Sequence, residues 1–397
     1  MIKTMSKCIK IKDQEQRHAL NAWAIAGYNG SVIAGTGFGK SRVGVLAVGK
    51  ILRLNETQRG IVLVPTTQLQ DQFKEEFHKW GYEDVLDRVD ILCYQSARKL
   101  REQHYGIVVA DEIHLGLSKE YIKFFKTNTY DKLLCMTATQ PEDPEYKVKL
   151  HMLAPEVYHI SLDKCVELGL IAPYNIYCIS VELTKEEKAA YKKANQMFVH
   201  YKYKLGQFDA FNEAKRILAS SNVGGHEKQW AVLFYKAIRQ RKAVVDFAIN
   251  KIDTIKKIVF SKLTSKILTF AGANEFTDKI SDSLGDLAMA YHSKRTKKQK
   301  DLALLSFRTN KVKVLCSTKA LNQGFDVPDA DMGIICGLTS KSLTMIQRVG
   351  RLLRFQENKT GTIVVLYIKD TQEEKWLKSS VKDLTNVNWI DNLTDIK

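Results

Sequence analysis

Residues 34–41 read AGTGFGKS, and their types and spacing suit the capture of a phosphate chain. Gly35, Gly37 and Gly39 let backbone N–H groups turn inward as an anion nest, and a helix starting there adds positive potential. Lys40 can reach the outer phosphates and Ser41 can ligate Mg²⁺. Thr36 lies within the same loop and counts with its binding residues. A strand-like run, SVIAG, precedes the loop and a helical run, SRVGVLAVGKILRL, follows it. Ala34 stands where the strict pattern GxxxxGK[ST] has glycine.

A phosphate cradle needs a metal partner and a group that orients water. VVADEIH (108–114) supplies both at the end of an apolar run. Asp111 suits Mg²⁺, directly or through water, and Glu112 suits polarisation of the attacking water. Two acids after a strand can also simply cap a helix. The lead-in IVVA places them instead at the ligand-binding edge of a sheet, in the same half as the loop. TAT (137–139) closes the next apolar run, and its interest lies only in coming third in the series. Near the other end, QRVGRLLR (347–354) spaces Arg348, Arg351 and Arg354 three apart, on one helical face.

The elements that must carry these motifs follow from periodicity. SVIAG (31–35), GIVLVP (60–65), VDILCY (89–94), YGIVVAD (105–111) and KLLCMTAT (132–139) are short, continuous apolar runs separated by helical stretches. That rhythm predicts a parallel sheet covered on both faces. KILTFAG (266–272), LAMAYHS (287–293), KVKVLCST (311–318), DMGIICG (331–337) and GTIVVLYI (361–368) repeat it, predicting a second α/β domain.

Between them, residues 184–262 lack proline and strand-like alternation. The segment holds 17 Lys and Arg against 7 Asp and Glu, with eleven aromatics that include Tyr191, Phe198, Tyr201, Tyr203, Phe208, Phe211 and Trp230. SNVGG (221–225) divides it into two helical blocks. It reads either as a solvated helical insertion with its own aromatic core or as a basic arm that grips a nucleic-acid backbone. On the second reading, Lys202, Lys204, Arg239, Arg241 and Lys242 together set the salt dependence of binding.

With 397 residues, the chain can hold two or three domains, and its net charge of +17 favours a polyanionic partner. No apolar run approaches the roughly 20 residues of a membrane span. The seven cysteines are scattered and form no CxxC pair, which predicts an intracellular, cytoplasmic setting without a zinc site.

In their order, AGTGFGKS, DEIH, TAT, LNQGFDVP (321–328) and QRVGRLLR resemble the superfamily two helicases and translocases, over about residues 12 to 370. The spelling is most similar to phage branch-migration helicases and relatives of the XPB type. The resemblance implies two RecA-like lobes, 1–158 and 159–397, the second carrying the basic helical insertion at about 184–262. It implies ATP and Mg²⁺ bound between the lobes, with Gln347, Arg351 and Arg354 reaching the γ-phosphate and Asp326 bonding the ribose or an arginine. Gln16 matches the glutamine that reads adenine, although Glu15 stands where an aromatic is common. PTTQL and YQS imply backbone contacts from Thr66, Gln95 and Ser96; FAGANE, YHS and CSTKAL imply them from Gly272, His292, Thr318 and Lys319. The implied activity is ATP-driven movement along DNA, single-stranded, forked or branched. An RNA helicase with the same engine and a restriction-type translocase are the alternatives. Oligomeric state is not readable.

Overall fold

The structure is a computed structural model. It describes residues 2–35, 37–138, 140–141, 143–170, 174–207, 209–220, 223–318, 330–339, 361–382 and 384–396.

Among the described residues, eight strands occur in the first part of the chain: β1 (Asn29–Ala34), β2 (Gly60–Val64), β3 (Val89–Cys93), β4 (His104–Tyr105), β5 (Ile107–Ala110), β6 (Thr129–Tyr130), β7 (Leu133–Thr137) and β8 (Glu156–Ile160). Six of them form one parallel sheet in the order β3-β2-β5-β7-β1-β8, and β4 pairs with β6 apart from it. The inner strands β2, β5 and β7 are buried along their whole length, which is why they read as continuous apolar runs. Edge strand β3 alternates between buried and half-buried residues. The topology has one functional consequence: β5, β7 and β1 are neighbours, so DEIH, TAT and the glycine loop leave the same edge side by side.

The first helices are α1 (Ile2–Ile25), α2 (Lys40–Leu54) and α3 (Thr67–Lys79). Trp23 of α1 anchors that helix by donating from Nε1 to the Leu133 carbonyl at 2.8 Å.

The second sheet has seven parallel strands: β9 (Tyr174–Ser180), β10 (Ile267–Phe270), β11 (Ala288–Tyr291), β12 (Val314–Ser317), β13 (Met332–Ile335), β14 (Gly361–Tyr367) and β15 (Val387–Ile390). Their order is β11-β12-β10-β13-β14-β9-β15. The five expected strands are present, and β9 and β15 are two more. Both escape a search for apolar runs, because YNIYCIS mixes polar residues into the strand and VNWI lies at the partly exposed edge.

Among the described residues, four helices lie between β9 and β10: Lys185–Lys204, Ala210–Ala219, Gly225–Asp246 and Ile249–Ser261. The first opens on a capping box, Thr184 with Glu187, which satisfies two otherwise orphan N–H groups. The aromatics of the first three build a core of their own: Phe198 stacks on Phe234 at 5.4 Å, and Phe211 meets the same ring edge-on at 5.1 Å. Tyr203 is left outside, 72% exposed, and Phe208 lies outside the described residues. The fourth helix differs, burying Ile255, Ile258 and Val259 in the core of the second sheet.

Two of the five basic residues expected to face a ligand are committed internally. The Arg241 guanidinium lies 4.1 Å from the Phe198 ring centroid, and Arg241 donates to the Tyr191 hydroxyl at 3.4 Å. Lys242 pairs with buried Asp246 at 2.5 Å. Lys204 and Arg239 are exposed and Lys202 is half-buried. No helix among the described residues is long and apolar enough to cross a membrane.

Candidate active site

The glycine loop leaves β1 and enters α2 through two left-handed residues, Gly37 at φ +95° and Gly39 at φ +89°. A side chain at either position would be strained. Gly39 is the N-cap of α2 and offers no side chain to bond the first-turn N–H groups, which leaves those donors for an anion. Lys40 donates to the Ala34 carbonyl at 3.0 Å, so its ammonium folds back over the loop. Ser41 sits half-buried in the first turn. Gln16 of α1 is 1% exposed; its Nε2 donates to the Phe38 carbonyl at 2.7 Å and its Oε1 accepts from Arg42 at 2.6 Å.

Asp111 and Glu112 follow β5. The Asp111 N–H continues the ladder by donating to the Leu63 carbonyl at 2.9 Å, and the Tyr94 hydroxyl donates to the Asp111 carbonyl at 2.8 Å. Glu112 adopts φ +48°, a left-handed conformation uncommon outside glycine. Burial and the adjacent Glu112 push the Asp111 carboxyl up to about 7, against the pull of Lys40. Glu112 Oε2 is buried with no hydrogen-bond partner among the described residues, 3.4 Å from His114 Nδ1. His114 Nδ1 is also 3.2 Å from Thr137 Oγ1, which links DEIH to TAT.

Two crowded acids facing an ammonium and a row of free helix N–H groups fit Mg²⁺ and a triphosphate. Asp111 and Ser41 would hold the ion, which would neutralise charge developing on the phosphoryl oxygens. Asp111 would then be ionised, and Glu112 would have a water to bond.

The expected nucleic-acid contacts fall into two groups. Gln95 and Ser96 are exposed, and Thr66 is half-buried as the N-cap of α3, accepting from the Leu69 N–H at 3.4 Å. In the second sheet the contacts are tucked in. His292 is 2% exposed and bonds Asp278 at 2.8 Å, beside Arg295 on the same oxygen at 2.5 Å. Thr318, 7% exposed, donates to Asn274 Oδ1 at 3.1 Å, and Asn274 in turn donates to the exposed Ser293 at 3.3 Å. Gly272 is required by crowding, since a Cβ there would lie 2.6 Å from Asp246 Oδ1. His292 therefore lies beneath the surface, where it holds Asp278. Asn274 and Ser293, which join the ends of three neighbouring strands, lie inside FAGANE and YHS, although the resemblance implied contacts from Gly272 and His292 in those segments instead. Thr36, Lys319, Asp326, Gln347, Arg351 and Arg354 lie outside the described residues.

Against known proteins, the family model described as DEAD/DEAH box helicase matches residues 13–146, and Helicase conserved C-terminal domain matches residues 250–356. The DNA 3'-5' translocase XPB2 of Sulfurisphaera tokodaii is 26% identical over 386 residues, 92% of this chain and 83% of that protein. A 51.5 kDa protein of a Lactococcus phage is 29% identical over 126 residues, 30% of this chain and 28% of that protein. In fold, the Pyrococcus furiosus Hef helicase domain aligns with a TM-score of 0.57 at 17% identity, over 90% of this chain and 96% of that one. S. cerevisiae Dbp5 bound to RNA and ADP BeF3 aligns with a TM-score of 0.61 at 14% identity, over 95% and 89%.

Proposed function

The chain belongs to the superfamily two helicases, ATP-hydrolysing enzymes built on two RecA-like lobes, and from that premise we propose that it moves along DNA. ATP closes the lobes and its hydrolysis reopens them; Glu112 would orient the water, and Asp111 and Ser41 would hold Mg²⁺, which would neutralise charge on the phosphoryl oxygens. Gln347, Arg351 and Arg354 complete the site from the second lobe, as the resemblance to the family implies. Lobes that hold phosphates through Thr66, Ser96 and Ser293 step without regard to sequence, because backbone contacts carry no base information.

The observation that carries the preference for DNA is the XPB2 likeness, which runs through 92% of the chain, the basic insertion included. XPB2 is described as a 3'-5' translocase, and the same polarity is proposed here. The helical insertion, with its own aromatic core and exposed Lys204 and Arg239, is proposed to hold duplex or junction DNA beside the motor. The test is the steady-state ATPase rate without nucleic acid and with single-stranded, duplex, forked and four-way-junction DNA and RNA of equal length. Strongest stimulation by forked or junction DNA supports the reading; stimulation by RNA alone replaces it with an RNA helicase that keeps the same ATP site.

A further inference from the structure

The buried Gln16 carboxamide is held at both ends by partners of opposite kind. Its nitrogen faces the carbonyls of Phe38 at 2.7 Å and Gly39 at 3.4 Å, and its oxygen faces the Arg42 guanidinium at 2.6 Å. Only one orientation of the amide satisfies this set, since carbonyls need a donor and a guanidinium needs an acceptor. The fit depends on Gly39 having no side chain, because a Cβ there would lie 2.4 Å from Gln16 Nε2. Arg42 is fixed in its turn. The other arm of its fork bonds Asp13 Oδ1 at 2.5 Å, and its plane lies 4.0 Å from the Trp80 ring centroid. Trp80 is pinned by donating from Nε1 to Glu76 at 2.6 Å. A planar fork that stacks and bonds twice is a task for arginine and not for lysine.

The peptide units 38–39 and 39–40 are planar and trans, so drawing their carbonyls toward Gln16 turns the N–H groups of Gly39 and Lys40 to the opposite side. We propose that Arg42 is a positioning residue for the phosphate loop: by fixing the flip of Gln16 it aims those N–H groups at the bound phosphates. This rests on the reading of the loop as the triphosphate site. Nothing in the motif pattern marks Arg42, Asp13 or Trp80.

The experiment measures the affinity of the full chain for Mg-ATP by calorimetry, with inorganic triphosphate as competitor, for the wild type, Arg42→Ala, Arg42→Lys and Asp13→Asn. Loss of a charge-assisted brace should weaken Mg-ATP about tenfold in Arg42→Ala, with triphosphate weakened in parallel. Arg42→Lys should recover part of the loss, and DNA affinity without nucleotide should not move. Unchanged Mg-ATP affinity in Arg42→Ala overturns the proposal. So does a loss confined to ATP, which would put Arg42 to work on base reading through Gln16. Should Arg42→Ala fail to fold, Asp13→Asn decides: a smaller parallel loss supports the brace and none overturns it. A wild type that binds no nucleotide would refute the triphosphate site itself.

Discussion

Glu112 Oε2 lies 3.4 Å from His114 Nδ1, buried, while the same imidazole nitrogen stands 3.2 Å from Thr137 Oγ1. Glu112, the proposed water-orienting acid, and the TAT segment thus share one ring. Glu112→Gln keeps the shape and removes the base, so hydrolysis should fall at least about a hundredfold while nucleotide binding persists. Single-turnover hydrolysis and an ATP titration on the same protein check this. Survival of hydrolysis would give the water to another group.

A pH dependence follows from Asp111. Burial first, and Glu112 second, raise its carboxyl to about 7 in the nucleotide-free protein, from an ordinary value near 3.8. The folded state therefore keeps a proton that the unfolded chain has lost between those values. Stability contributed by the neutral acid is full below the ordinary value and drains as pH rises toward 7. Thermal melts of the nucleotide-free, metal-free protein should show Tm falling over that window, with a smaller slope in Asp111→Asn. Mg-ATP should flatten the slope by favouring the ionised acid. An equal slope in Asp111→Asn would assign the titration elsewhere.

Much of the site was legible because parallel strands buried on both faces announce themselves as apolar runs, and the chemistry follows directly after them. AGTGFGKS, DEIH and TAT needed only the strand order β5-β7-β1 to meet. What stayed hidden depends on distant pairing. Within the segment that reads as a solvated helical insertion, Lys251 is wholly buried against Glu373, 122 residues away. Composition likewise assigned Arg241 and Lys242 to a ligand, although an aromatic ring and a carboxylate hold them. Exposed β15 and polar-mixed β9 lacked the apolar signature altogether.

The Lys251–Glu373 pair makes its own prediction. Lys251 Nζ donates to both carboxylate oxygens, at 2.9 and 2.8 Å, and to the carbonyls of Val245 and Cys336. It thereby joins the insertion's long helix, the end of β13 and the helix Gln372–Val381. Removing one partner strands a buried charge, so Glu373→Ala should cost about 3–5 kcal/mol. Replacing both, as Lys251→Met with Glu373→Leu, should cost much less. Thermal melts of the single and double variants decide, and equal losses would make the pair's contribution one of packing.

For the insertion, the internal commitments of Arg241 and Lys242 divide the basic residues into two sets with opposite expectations. Neutralising Lys202, Lys204 and Arg239 to Gln should leave the melting temperature in place. It should also lower the slope of log affinity for duplex DNA against log salt, by up to about 0.9 for each phosphate no longer neutralised. Arg241→Gln should do the reverse. It removes the guanidinium from Phe198 and the Tyr191 hydroxyl, and Tyr191 is the residue that donates to Gln372 at 2.6 Å. That variant should melt earlier with the salt slope nearly unchanged. If the first set leaves the slope where it was, the insertion is a structural module and the DNA track runs over the lobes alone, through Ser96 and Ser293.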